Sequence, residues 1–245
     1  MFDGQTMSHD SRHFADDLEQ LKERVIELAR LAEERLQLAL NGLVECNPSL
    51  LSEVIAGDSR INDLQIDIDG RCLKLMALQQ PVAVDLRMIV SALKINQDLE
   101  RVAELAVNVA KAGQRYLLHP PVKPLIDIPR MGQLALKMLR EAIDAYIARD
   151  VVPAHGVLRQ DHWLDTLKDQ IMRELLTYML GDRATVEPSV ELIFISRHLE
   201  RVGDHATNIA EDVIFIVEAR DVRHGTSGSL PPGGERRRRW DTSPV

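Results

Sequence analysis

Aromatic side chains make up only 4% of a chain that is 45% apolar, so Leu, Ile, Val and Ala must build the core. That composition suits helix-on-helix packing more than a β-sandwich. Cysteine is almost absent. Cys46 and Cys72 lack metal-ligand spacing and read as reduced thiols of a cytosolic protein. No run of about 18 apolar residues is present to span a membrane, and the N-terminus lacks the apolar segment of a signal peptide. The expected location is therefore cytoplasmic. Basic charge is short as well: the net charge is −8. It is also uneven. Residues 223–245 carry five arginines against Glu235 and Asp241, a net +3, which leaves −11 for the rest. An acidic body excludes an ordinary nucleic-acid module, which needs a basic face. The chain has no Gly-rich phosphate loop, no Walker pattern and no Gly-x-Ser-x-Gly elbow. No catalytic or cofactor-binding residue is assigned, and the expectation is a protein that is not an enzyme. No segment alternates with period two, so no sheet is expected.

What the chain does have is a repeat. Residues 99–110 read L-E-R-V-A-E-L-A-V-N-V-A, and residues 199–210 read L-E-R-V-G-D-H-A-T-N-I-A, with seven of twelve positions identical. Each copy lies on an apolar row in steps of four and three. Ile95, Leu99, Val102, Ala106 and Val109 form the first row, and Ile195, Leu199, Val202, Ala206 and Ile209 the second. Such steps define a helix with one buried face. Upstream, a shift of 103 residues brings Leu28 onto Met131, Ala39 onto Ala142, Val54 onto Val157, Ile61 onto Leu164 and Ile68 onto Ile171.

Six helices follow, over about 13–46, 48–79, 84–118, 129–150, 153–180 and 188–222. They form two antiparallel three-helix bundles, an all-α fold related by a pseudo-twofold axis. Residues 13–118 make the first bundle and 129–222 the second. Residues 119–128, with Pro120, Pro121 and Pro124, form a stiff linker. Residues 1–12 read as a flexible arm. Residues 223–245, rich in Gly, Ser, Pro and Arg, read as a disordered tail.

Beside each apolar row runs a second row that packing does not require: Glu100, Glu104 and Asn108, matched by Glu200, Asp204 and Asn208. Residues four apart are neighbours on a helix, and like charges at that spacing repel. Asp58 and Asp161, equivalent under the 103-residue shift, interrupt apolar rows of their own. Reflection across the helical hairpins places Asp58 beside Glu100 and Glu104, and Asp161 beside Asp204 and Asn208. Two readings stay open. Each cluster is an oxygen-ligand site for a hard cation such as Mg²⁺, Ca²⁺, Mn²⁺ or iron, or each Asp pairs with Arg101 or Arg201 at a wet edge. The Glu-x-x-His motif of di-iron bundles is absent. His198 and His205 read as surface or interface residues, not as ligands. The Arg236–Arg239 run reads as solubilising, with contact to anionic lipid as the alternative.

These residues resemble the PhoU family of phosphate-uptake regulators over roughly 13–222. The stretch from Glu200 to Glu211 (E-R-V-G-D-H-A-T-N-I-A-E) carries the resemblance most specifically, followed by Gln80 to Arg87 (Q-P-V-A-V-D-L-R). The resemblance implies a duplicated three-helix bundle whose E/D-x-x-x-D motifs bind divalent or trivalent metal in some members. On this chain those motifs fall at Glu100 with Glu104 and Glu200 with Asp204. The first copy departs from the pattern, with Glu104 for Asp, Leu105 opposite His205 and Ala103 opposite Gly203. The resemblance further implies a homodimer that links a phosphate ABC transporter to a sensor histidine kinase and represses phosphate transport and the starvation response. A carboxylate metalloenzyme or metal store is the alternative.

Overall fold

The computed structural model describes residues 6–57 and 59–222, with side chains from His13 onward. Asp58 and the 223–245 tail lie outside the described residues. The described residues form seven α-helices and no strand: α1 (Thr6–Val44), α2 (Pro48–Ala56), α3 (Ser59–Gln79), α4 (Ala83–Tyr116), α5 (Asp127–Ala148), α6 (Val151–Gly181) and α7 (Val186–Glu218). A single 3₁₀ turn, Arg183–Thr185, joins α6 to α7.

Two differences from the sequence reading extend or break a helix, while the remaining ends move by four residues or fewer. The first helix begins at Thr6 instead of His13, so residues 6–12 are helical and only 1–5 of the expected arm lie outside the described residues. No glycine or proline interrupts the chain between Gln5 and Asn41, so nothing stops the helix from extending backwards. The second expected helix is broken into α2 and α3 at Gly57, whose backbone sits at φ 85° and ψ 171°. Only glycine occupies that region without strain.

Local signals set the other ends. Asn47 caps α2 by accepting from the N–H groups of Ser49 at 3.1 Å and Leu50 at 3.4 Å, with Pro48 at the first helical position. Asp150 caps α6 through the N–H of Val152 at 2.9 Å. Between α4 and α5, Lys123 is buried and bonded to Asp127 at 2.8 Å and to Glu174, which ties the proline-rich connection down onto α6.

In the first half α4 packs on α1, α2 and α3; in the second α7 packs on α5 and α6. The halves meet along α4 and α7, with α1 also touching α5. The polar contacts of that seam give its geometry. Arg87 Nε donates to the Ile216 carbonyl at 3.2 Å, Lys94 to Asp212 at 3.1 Å, and Arg115 to both carboxylate oxygens of Glu191 at 2.8 Å. Residue numbers on α7 fall as those on α4 rise, so the two helices run antiparallel. They cross near Val102 and Val202, equivalent residues of the repeat that are both fully buried. The pseudo-twofold axis passes through that crossing. It joins the two halves into one continuous apolar core.

Candidate functional site

The second carboxylate row stands on α7, one helical face away from the buried row Leu199, Val202 and Ala206. The 3₁₀ turn folds α6 back against it, which brings Asp165 and Glu200 onto one ammonium, that of Lys168, and puts Asp161 in the field of Glu200 and Asp204. Gly203 leaves room there for the Leu164 side chain of α6. A Cβ there would meet Leu164 Cδ2 at 2.2 Å.

Four carboxylates thus share one patch, and their fields are felt. Burial raises Asp204 above the usual carboxylate range, and Glu200, Asp161 and Asp165 raise it further. Burial likewise raises Asp161, helped by Asp165 and Glu200 and opposed by Lys168. The basic partner of these acids is Lys168, not Arg201. Its ammonium donates to Glu200 Oε1 at 2.9 Å and Asp165 Oδ1 at 3.2 Å. Those bonds push Lys168 above its ordinary pKa, the one to Glu200 most strongly, and burial opposes the rise.

The first row is balanced differently. Arg101 bonds Glu104 and lies 3.5 Å from Glu100, reaching both from the solvent side. Burial raises Glu100, and Glu104 adds to it. Beside this pair the break at Gly57 opens a hollow of about 420 Å³, lined by Arg35, Ser59, Asn62, Glu100 and Glu104 among others. Arg35 donates to the Val54 carbonyl at 2.8 Å and holds the end of α2 there.

The asparagines part company with the acids. Asn208 turns away from Asp204 and donates across the seam to Asp98 Oδ1 at 3.1 Å. His205 Nδ1 lies 2.8 Å from the same oxygen, an interface histidine held by a carboxylate. Asn108 is half-buried on α4. The repeat carries Asp98 onto His198 and His205 onto Leu105, so the mirror contact pairs a histidine with a leucine. His198 Nδ1 is accordingly buried without a partner. Burial lowers its pKa, and Arg201, Arg197 and Arg115 lower it further.

Three functional-looking residues escaped the sequence reading: Asp98, Asp165 and Lys168. The signal that singled out Asp161, a charge interrupting an apolar row, applies equally to Asp98 between Ile95 and Val102 and to Lys168 between Leu164 and Ile171.

Chemically, an all-oxygen donor set with excess negative charge fits a hard cation. Among the described residues, however, no three His, Cys, Asp or Glu side chains converge on one point. Lys168 and Arg101 stand between the carboxylates instead.

The family model for the PhoU domain matches this chain twice, over residues 25–113 and 128–213. The chain belongs to the PhoU family. The two matches fall on α1–α4 and on α5–α7, one in each half of the fold. The phosphate-specific transport system accessory protein PhoU homolog of Caulobacter vibrioides is 38% identical over 215 residues, covering 87% of this chain and 94% of that one. The Aquifex aeolicus homolog is 39% identical over 208 residues, 85% of this chain and 94% of that one. The crystal structure of PhoU from Pseudomonas aeruginosa superposes with a TM-score of 0.81 at 33% identity, covering 84% of this chain and all of that chain. The phosphate transport system regulatory protein PhoU from Streptococcus pneumoniae gives 0.77 at 26% identity, covering 85% of this chain and 99% of that one. Among the described residues no helix is long and apolar enough to cross a membrane.

Proposed function

We propose that this protein is a cytoplasmic regulator of phosphate uptake and phosphate-starvation signalling, and that it acts by binding and not by catalysis. In this reading it is an adaptor between a phosphate ABC transporter and a sensor histidine kinase, and it holds both transport and the starvation response down when phosphate is plentiful. Contact with the membrane is peripheral, through those partners, and the working unit is a homodimer. The observation that carries the reading is the likeness of both halves to relatives named as accessory proteins of phosphate-specific transport. The test is capture of the tagged protein from cells grown in high and low phosphate, with a starvation-promoter reporter in a deletion strain. Transporter and kinase subunits are expected in the high-phosphate capture, and the reporter should fire in rich phosphate once the gene is gone. A reporter that stays silent in the deletion strain refutes the regulatory role.

A second element of the reading is a metal ion on the carboxylates. Glu200 and Asp204, with Asp161 and Asp165 facing them, are the residues that would hold a divalent or trivalent cation, and Glu100 with Glu104 are their counterparts. The supporting observation is the surplus of carboxylate over ammonium in the patch, which adds to the rise that burial imposes on Asp161 and Asp204. Glu200→Gln with Asp204→Asn keeps shape and removes charge. Elemental analysis should show the bound metal lost in that variant; equal metal content in both proteins rules out the site.

A further inference from the structure

The arginines of the second half are placed unlike those of the first. Arg197 and Arg201 stand exposed, one turn apart on α7, with half-buried His198 between them. Arg115 of α4 comes up beside them across the seam, and the charges of all three arginines are felt at the His198 ring. Arg115 is tied to Glu191 through Nε and Nη2, which leaves Nη1 outside that pair. Among the described residues, Arg197 and Arg201 make no hydrogen bond or ion pair. The 100-residue register puts Gln97, Asp98 and Arg101 at the corresponding places of the first half, and there Arg101 bonds Glu104. Arg201 makes no such bond with Asp204, the counterpart of Glu104. The second half thus gathers guanidiniums where the first balances its charge.

The ring of His198 is set up as a donor. Its Nδ1 is enclosed without a partner. A buried N–H with no acceptor is costly, so the proton of the neutral ring belongs on Nε2. Like charges gathered this closely are relieved by an anion. A guanidinium presents its N–H groups in a planar fork that matches the oxygens of carboxylate and phosphate. Two exposed forks, a third at the seam and an imidazole N–H need more acceptors and more charge than one carboxylate has. A phosphate group supplies both, with three acceptor oxygens and a charge of about −1.5 to −2.

We propose that Arg197, His198 and Arg201 on α7, with Arg115 on α4, form a binding site for a phosphate dianion, free or as the terminal phosphate of a nucleotide. Arg197 and Arg201 clamp its oxygens from the open face, His198 Nε2 donates between them, and Arg115 adds charge through its unpaired Nη1. The site uses no carboxylate and no metal, so it stands or falls apart from both the adaptor and the metal readings.

The experiment is calorimetric titration of the full chain, with a chelator present, using inorganic phosphate, ATP and poly-glutamate. Wild type is expected to bind phosphate or ATP, and more weakly as sodium chloride is added, because the clamp is exposed to screening. Arg197→Gln and Arg201→Gln should each weaken that binding about tenfold or more, the loss of one charge-assisted contact. Arg201→Lys keeps the charge and should lose less. Both side chains are exposed and unbonded, so helical circular dichroism should be unchanged in all these variants. Arg30→Gln, at an exposed arginine of α1 paired with Glu34, should bind as wild type does. Tighter binding of ATP names a nucleotide as the source of the phosphate, and equal or tighter binding of inorganic phosphate names the free ion. Phosphate and ATP binding wild type no better than the Arg197→Gln, Arg201→Gln double variant overturns the site. Poly-glutamate binding tighter than either, and lost in the double variant, overturns the phosphate assignment in favour of an acidic protein segment.

Discussion

Replacing Gly203 by alanine tests how tightly the second half is closed around its carboxylates. The added Cβ would sit 2.2 Å from Leu164 Cδ2 and 3.5 Å from Met138 Cε. Leu164 is fully buried, so its methyl group cannot swing into solvent. Overpacking of this kind costs about 1–3 kcal/mol. Alanine returns about 1 kcal/mol as the better helix former. The net loss is then roughly 1 kcal/mol, or a melting temperature lower by about 2–4 °C for a chain of this size. The first half shows how the clash is avoided, since its register places Ala103 opposite Ile61 where the second half has Gly203 opposite Leu164. Transplanting that pair as Gly203→Ala with Leu164→Ile should recover most of the loss. The two single variants and the double, compared by urea unfolding, should show a favourable coupling of about 1 kcal/mol. Purely additive changes, or a Gly203→Ala variant more stable than wild type, would refute the claim that glycine is there to seat the Leu164 side chain of α6.

Two other outcomes are expected. Gly57→Ala forces a side chain into the backbone region at φ 85° and brings a Cβ within 3.3 Å of Arg35 Nη2; it should cost about 1–3 kcal/mol, and an unchanged unfolding midpoint would contradict the break between α2 and α3. Asp161 and Asp204 bind protons more readily in the folded state than in the unfolded chain, so between the ordinary carboxylate value of about 4 and their raised folded values the metal-free protein gains stability as pH falls and loses it as pH rises. Asp161→Asn with Asp204→Asn should therefore be more stable than wild type at neutral pH, with the gap closing on acidification; a gap that widens on acidification reverses the sign and the argument.

Periodicity along one helix made the rows legible, and repetition made their pairing legible. The buried row from Ile95 to Val109 and the carboxylates beside it follow from steps of four and three. Reflection about a hairpin turn places Asp161 beside Asp204 and Asn208, and the charge of Asp161 is indeed felt at Asp204. What one helix cannot show is its rotation against the next. Asn208 belongs to the carboxylate row by spacing, yet the antiparallel seam turns it towards Asp98. Lys168 shows in the sequence as a charge inside an apolar row, but which acids it meets is settled only when α6 is laid on α7. The break at Gly57 was hidden because the apolar positions on either side stay in register across it. The hydrophobic pattern reports which face is buried, whether the helix is continuous or not.

The polar contacts between α4 and α7 have a mechanical meaning. From Arg87 to Arg115 they span 28 residues of α4, about 42 Å of helix at 1.5 Å per residue. Pins at both ends of a rod, with Lys94 and Asp98 between them, resist sliding and twisting together. A shift by one turn would break all four at once. The two halves are in effect splined, and the molecule tilts as one beam. A partner seated on one half is then felt on the other as a change of position, delivered over tens of ångströms without any helix changing its shape.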